Sequence, residues 1–389
     1  MKFTKTALAI AAIVSSVGAA AQTANVTLYG RVSTNIESVT FKGPTSSVRL
    51  NSVENISSRF GFRGSESLGG GMNAIFQLES GFASDTGAGG TSGGVAQLFG
   101  REAWVGLNGG FGEVKIGYGL TPFDDVLGWA HHQGANSWEN RNNGVSGGAG
   151  FAKQNLFNNY VNASGCTSSA FDARYGNSIS YKTPTIAGGL TLRTQYALLG
   201  EASSNSCNAW DTALLYSAGP VRFGLAYAMH KRFTGIGGLT AVGTTLLTPG
   251  TPSYDQNAIR AYGSFNAGPV LIDATYETAS YKLATTRKYK YWEIGAIAPV
   301  GAWTLGAQYS QRDNGLAYAY TVTPTGPAFA VTAAGLTTAN WANGGGKHFS
   351  LTADYALSKR TAIRSYYTQL KNETGVKINA ISTGLWHSF

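Results

Sequence analysis

The chain has 389 residues, yet only 13% are charged, while 52 are Gly, 20 Tyr and 18 Phe. A soluble domain carries about 25% charged residues, so an ordinary globular surface is excluded. The net charge of +9 does not indicate nucleic-acid binding, because no Lys/Arg run exceeds two residues and the cations are spaced singly.

The first element reads as a secretory signal. Lys2 and Lys5 precede an apolar run from Ala7 to Val17, and Ala19-Ala20-Ala21 offers small-residue cleavage before Gln22. That run is too short for a spanning helix, which needs about 20 apolar residues. Residues 1–21 are expected to leave as a signal peptide. The remaining 22–389 form one exported domain of net charge +7, since Lys2 and Lys5 are lost.

From there on the pattern has a period of two. Val26, Leu28, Val32 and Ile36 alternate with Tyr29, Arg31, Asn35 and Glu37. Phe60 and Phe62 alternate with Arg59 and Arg63, and Ala74, Phe76 and Leu78 with Asn73, Gln77 and Glu79. Further on, Val221, Phe223, Leu225 and Tyr227 oppose Arg222 and Gly224. The same holds for Trp303 to Arg312 and for His348 to Tyr355. Each segment predicts a strand with one apolar and one wet face.

Connections alternate between tight and long. Seven turns carry Gly, Pro, Asn or Ser signals: 67–70, 108–110, 183–189, 218–220, 266–268, 299–301 and 357–360. Eight longer links lie near 40–56, 84–97, 119–173, 200–208, 232–255, 283–287, 314–346 and 372–375. Seven turns and eight links join sixteen strands. Short turns on one rim, long loops on the other and an even count predict an all-β fold, a 16-stranded antiparallel transmembrane β-barrel. Sixteen strands leave an aqueous lumen, whereas about eight would be filled by side chains.

Cys166 and Cys207 sit in polar Ser/Asn/Gly surroundings. In an exported protein they are expected to form one disulfide clamping two loops. A metal site is the weaker alternative, since neither Cys has a His or Cys at ligand spacing. His131-His132 reads as a solvated loop pair. No Gly-x-Ser-x-Gly elbow is present, and Gly109-Gly110-Phe111-Gly112 lacks a following helix pattern. The chain is therefore expected not to be an enzyme and to need no cofactor or metal.

The last element ends on an aromatic residue, Ile381-Ser382-Thr383-Gly384-Leu385-Trp386-His387-Ser388-Phe389. An unpaired final strand cannot survive in lipid, so this strand is expected to close on the one beginning at Asn25. A β-sandwich that happens to end here is the alternative.

Several blocks in order carry a resemblance. They are Asn25-Val26-Thr27-Leu28-Tyr29-Gly30-Arg31-Val32, the stretch from Ser58-Arg59-Phe60-Gly61-Phe62-Arg63-Gly64 to Gly71, and Arg101-Glu102-Ala103-Trp104-Val105-Gly106-Leu107 through Val114. Leu120-Thr121-Pro122 with Asp124, Ile179-Ser180-Tyr181-Lys182-Thr183-Pro184, Leu357-Ser358-Lys359-Arg360-Thr361 and the terminal Phe389 complete the set. Together they resemble the general-diffusion porins of betaproteobacteria. The resemblance implies a homotrimeric channel in the cell outer membrane, in contact with the lipid bilayer and lipopolysaccharide, passing small anions and hydrophilic solutes. It also implies that loop 119–173 folds inward as the constriction loop and that Phe389 serves as an assembly signal. Two departures are Tyr118 and Trp386, where relatives carry basic residues.

The same resemblance places Arg59, Arg101 and Arg174 in an arginine cluster at the pore constriction. Arg63 shares the wet face of Arg59, and Asp124 and Asp125 would face the cluster from the loop. Thr121-Pro122 predicts a short helix with Thr121 as N-cap. Arg174 shares a face with Lys182 by strict alternation. Arg101 has the parity of lipid-facing Val105 and Leu107, so a bulge or an early strand end is needed to turn it inward. Arg222, Arg260, Arg312 and Arg364 either extend a basic wall or pair with lumen acids such as Asp273 and Glu277. Rings of Arg select anions, so a mild anion preference is expected. The alternative function is a closed barrel acting as an adhesin or receptor through its loops.

Overall fold

The computed structural model describes residues 25–42, 47–89, 91–92, 95–124, 171, 174–199, 207–233, 254–282, 286–313, 319–325, 328–334, 345–373, 375 and 377–389. Residues 1–21, where a signal peptide is expected, and Asp125, His131, His132 and Cys166 lie outside the described residues.

Among the described residues, sixteen strand positions pair with antiparallel neighbours around a closed ring. The first is Asn25–Lys42, and the second is broken into Ser47–Asn55 and Arg59–Gly69. There follow Met72–Gly81, Glu102–Gly109, Gly112–Leu120, Arg174–Lys182, Leu190–Leu199 and Cys207–Ala218. Val221–Phe233, Tyr254–Asn266, Leu271–Lys282, Arg287–Val300, Trp303–Arg312, Gly346–Ala356, Thr361–Asn372 and Lys377–Ser388 complete the barrel.

Burial is inside out. Outward-facing Val26, Ile36, Val105, Ile116 and Ile381 are 58% to 66% exposed, whereas inward-facing Asp211, His230, Arg260 and Glu277 are at most 1% exposed. A soluble sandwich would do the reverse, because free charges are costly in a core and apolar area is costly in water. An apolar band outside and a polar interior are what lipid demands of a barrel.

Tight connections gather at one rim, at Gly70-Gly71, Gly110-Phe111, Gly219-Pro220 and Gly301-Ala302. At the first of these, Gly69, Gly70 and Gly71 all hold positive φ of 84°, 60° and 79°, which only glycine adopts in succession without strain. The link expected over 40–56 is largely strand: Thr34 to Lys42 pairs with Asn55 to Ser47 as a hairpin extending the wall. The alternation of exposed Ile36 with buried Glu37 and of exposed Val53 with buried Glu54 continues through it, and continued alternation favours continued pairing. Link 314–346 likewise carries a hairpin of its own, Ala319–Thr325 with Ala328–Ala334.

Closure occurs where expected. Arg31 pairs with Ser388, and the register runs without slip to Lys42 opposite Lys377. Gly30 N donates to Phe389 O and Phe389 N to Gly30 O, both at 3.1 Å. Inside the seam, Asn35 Nδ2 donates to Ser382 Oγ at 2.9 Å and Tyr366 Oη donates to Glu37 Oε2 at 3.0 Å.

Candidate functional site: the lumen wall and the loop base

Thr121 caps a short helical turn as predicted, with Pro122 first and Asp124 N donating to Thr121 Oγ1 at 3.2 Å. The Thr121 hydroxyl in turn donates to Phe171 O at 3.3 Å, which ties the outgoing and returning ends of the loop together. Both Phe123 and Phe171 are fully buried. They are buried against the inside of the barrel. Arg260 Nη1 donates to Phe123 O at 2.7 Å, and its guanidinium lies 4.1 Å from the Phe123 ring. Arg260 belongs to a strand five positions round the ring from Gly112–Leu120, so Phe123 lies inside the barrel.

Arg260 can hold this position because Glu277 fixes it. Its Nε donates to Glu277 Oε2 at 2.8 Å, Nη2 makes a second bond to the same oxygen, and Tyr289 Oη donates to Glu277 Oε1 at 2.6 Å. Two bonds from one guanidinium to one carboxylate are the geometry that keeps a desolvated pair worthwhile. The Phe171 ring lies 5.7 Å from Phe123, 4.9 Å from His230 and 6.0 Å from Tyr281. His230 is itself stacked on Phe233 at 4.9 Å, with Gln256 Nε2 2.7 Å from its Nδ1 and Tyr175 Oη 3.2 Å from its Nε2.

The facing wall carries arginines. Arg101 Nε lies 2.5 Å from Glu79 Oε1, and Arg59 Nη1 lies 3.8 Å from the same oxygen. Tyr29 Oη donates to Glu79 Oε2 at 3.0 Å. Arg174 Nε stands 3.7 Å from Glu102 Oε1, whose carboxylate also accepts from Trp104 Nε1 at 2.8 Å and Leu120 N at 3.3 Å. Arg59, Arg101 and Arg174 thus share one open recess of about 500 Å³ with Arg31, Glu79 and Glu102. Arg63 stands apart from the acids, exposed, with its guanidinium 5.1 Å over the Tyr29 ring. Asp124 is half-buried at the loop base.

Three local irregularities lie beside these groups. Arg101 reaches the lumen because its strand begins only at Glu102, so the bend before it escapes the parity of Val105. The break at Ile56–Ser58, with Ser57 at φ 57°, turns the Ser57 carbonyl toward the Arg31 Nε, which donates to it at 2.9 Å. A third, at Asn177 (φ 49°), slips the register between Tyr175 and Ser178. That slip breaks the strict alternation between Arg174 and Lys182, yet both still face the lumen beside Glu102.

Sequence reasoning placed Arg31 on a wet face and singled out Trp386 as a departure from relatives without making either part of the site, and it left the role of Arg364 open. The Trp386 ring centroid is 4.0 Å from the Arg31 guanidinium and 3.6 Å from that of Arg364, and Arg364 Nε is 3.0 Å from Asp354 Oδ2. Of the other doubtful wall cations, Arg260 pairs with Glu277 and Arg312 lies 4.3 Å over Tyr289. Register across the barrel, which no single strand reveals, decides these contacts.

Sixteen strands closed on themselves, apolar without and charged within, define an outer-membrane channel protein of the bacterial barrel class. A family model described as Gram-negative porin matches residues 6–375, and the chain belongs to that family. It is similar to outer membrane porin protein 32 of Delftia acidovorans, 28% identical over 76% of each chain. An outer membrane porin protein of Bordetella pertussis is 28% identical over 99% of this chain and 100% of its own. Among solved structures, an anion-selective porin from Comamonas acidovorans superposes with a TM-score of 0.69 at 25% identity, covering 94% of this chain and all of that one. The OmpT trimer form of Vibrio cholerae shares the fold alone, with a TM-score of 0.59 at 13% identity over 94% and 99% of the two chains. The protein is therefore a multi-pass barrel of the outer membrane, and its family is one of passive channels rather than enzymes.

Proposed function

We propose that the barrel is a water-filled pore for passive diffusion of ions and small hydrophilic solutes, with a mild preference for anions. The observation carrying this reading is the single wall shared by Arg31, Arg59, Arg101 and Arg174 against Glu79 and Glu102. Such an imbalance lowers the barrier for anions and raises it for cations. The mature charge of +7 and the likeness to an anion-selective porin support it. The loop anchored by Phe123 and Phe171 would narrow the lumen opposite this wall, with Asp124 and Asp125 facing the arginines. A trimer in the bilayer, with lipopolysaccharide around it, follows from the family likeness.

Cys207 is buried at the start of its strand, beside the long links, where a bridge to Cys166 would tether loop 119–173. Phe389 would serve as the assembly signal and residues 1–21 as the export signal. The deciding measurement is the reversal potential of the purified protein in a bilayer under a KCl gradient. Anion preference is expected, and clear cation preference would overturn the reading. A barrel serving only as a surface receptor would pass no current.

A further inference from the structure

We infer that Trp386 is a specificity-determining positioning residue, which holds the Arg31 guanidinium toward the lumen with its charge uncancelled, across the seam where the chain's two ends meet. This rests on the reading of the lumen as an anion path, and it adds residues that reading does not contain.

Arg31 lies on the first strand, Arg364 on the fifteenth and Trp386 on the sixteenth between them, so the two guanidinium groups approach the indole from the strands on either side. Their carbons lie 4.0 and 3.6 Å from its centroid. The indole is itself pinned, since Trp386 Nε1 donates to Ser388 Oγ at 3.1 Å. Arg31 is 93% buried (7% exposed), makes no ion pair with a described carboxylate, and leaves Nη2 without a hydrogen-bond partner beside the recess of Arg59, Arg101 and Arg174. In register it sits directly across from Arg59. Guanidinium groups therefore line the wall from Arg101 through Arg59 and Arg31 to Arg364, with the Trp386 ring between the last two.

The chemistry of the holding partner matters. An aromatic face attracts a guanidinium through its quadrupole and leaves the net charge in place. A carboxylate would hold it as well but cancel it. Two carboxylates are close: Asp354 already pairs with Arg364, and Glu79 Oε1 lies 3.8 Å from Arg59 Nη1 on the neighbouring strand. Arg364 is already offset by Asp354 at 3.0 Å, so the charge at stake is that of Arg31: without the ring, Arg31 turns toward Glu79 and the row loses that available charge. The solutes that benefit from the held geometry are oxyanions such as carboxylates, which a guanidinium meets through paired N–H donors.

The test compares Trp386→Phe with Trp386→Leu in the full-length protein, reconstituted in planar bilayers. The readout is the anion-to-cation permeability ratio at low salt, taken relative to the unaltered protein. Phe keeps an aromatic face and Leu keeps only apolar bulk. Trp386→Leu is expected to lower the ratio by about twofold while Trp386→Phe stays near the unaltered value. Heat-modifiable migration in SDS serves as the folding control. Should the Leu variant fail to insert, Trp386→Met carries the same comparison. An unchanged ratio in Leu or Met, or an equal fall in Phe, would overturn the inference. The relative shift is read whatever the sign of the unaltered protein's selectivity. Failure of the pore reading would show in that absolute sign, and failure of this inference in the shift.

Discussion

Phe389 and Gly30 exchange two backbone hydrogen bonds of 3.1 Å, and the Phe389 ring fills the space a side chain at position 30 would need. A Cβ built on Gly30 would lie 2.5 Å from Phe389 Cζ and 2.6 Å from Arg59 O. The last residue is thus locked over the first strand by a ring on the outer surface, and only glycine permits it.

Gly30→Ala is therefore expected to reduce the yield of folded barrel, with an overpacking cost of about 1–3 kcal/mol. Deleting Phe389 should do so more strongly, because the reciprocal pair is lost as well. Barrels that do fold should keep normal single-channel conductance. Folded fraction from heat-modifiable gel migration, beside conductance, checks both; a normal yield of the deletion variant would refute the role of the ring.

Arg260→Gln should leave Glu277 buried without its cation and release the Phe123 carbonyl. Breaking a buried pair from one side costs about 3–5 kcal/mol, whereas neutralising both partners costs much less. The single variant is expected to lower the unfolding midpoint in denaturant and to raise channel noise as the loop base loosens. Arg260→Gln with Glu277→Gln should recover much of the midpoint.

Arg101→Gln removes the closest partner of Glu79, whose charge then faces Arg59 and Tyr29 alone. The anion preference should fall. Glu79→Gln should raise it, since two guanidinium groups lose their shared counter-ion. Opposite shifts in reversal potential are the diagnostic result, and shifts of the same sign would rule out an electrostatic role for this trio.

Selectivity from wall charges must weaken with salt. The Debye length falls from about 10 Å at 0.1 M to about 3 Å at 1 M. A fixed concentration ratio across the bilayer should therefore give a larger reversal potential at the dilute end of that range. A salt-independent value would point to a steric filter instead.

The proposed Cys166–Cys207 bridge would give faster migration of the denatured chain without reductant and none of that shift in Cys207→Ser. Closing so long a loop contributes on the order of 4 kcal/mol in the chain-entropy account.

The barrel was legible in the sequence because lipid enforces an unbroken apolar face, which throws the wet residues into relief at every second position. Val26 to Ile36 and Phe349 to Tyr355 show this plainly. The tight turns were legible for the same kind of local reason, as at Gly69 to Gly71, where the backbone itself requires glycine. The extended hairpin over 40–56 was missed because Gly43-Pro44 and its polar neighbours read as a loop from end to end. Side-chain partners were harder still. Glu79 joins Arg101 and Arg59 from two other strands, and Arg31 meets Trp386 across 355 positions of chain. Such meetings depend on register, and the bulge at Asn177 alters register without any apolar signal.

The Arg31–Trp386–Arg364 group also has a bearing on timing. Its members come from the first strand and the last two, so they meet only when the ring is complete. A partly inserted chain would have Arg59 and Arg101 in place but not this stretch. On the proposed reading, the share of ion discrimination that depends on this stretch would mature last, which would make it a reporter of finished biogenesis.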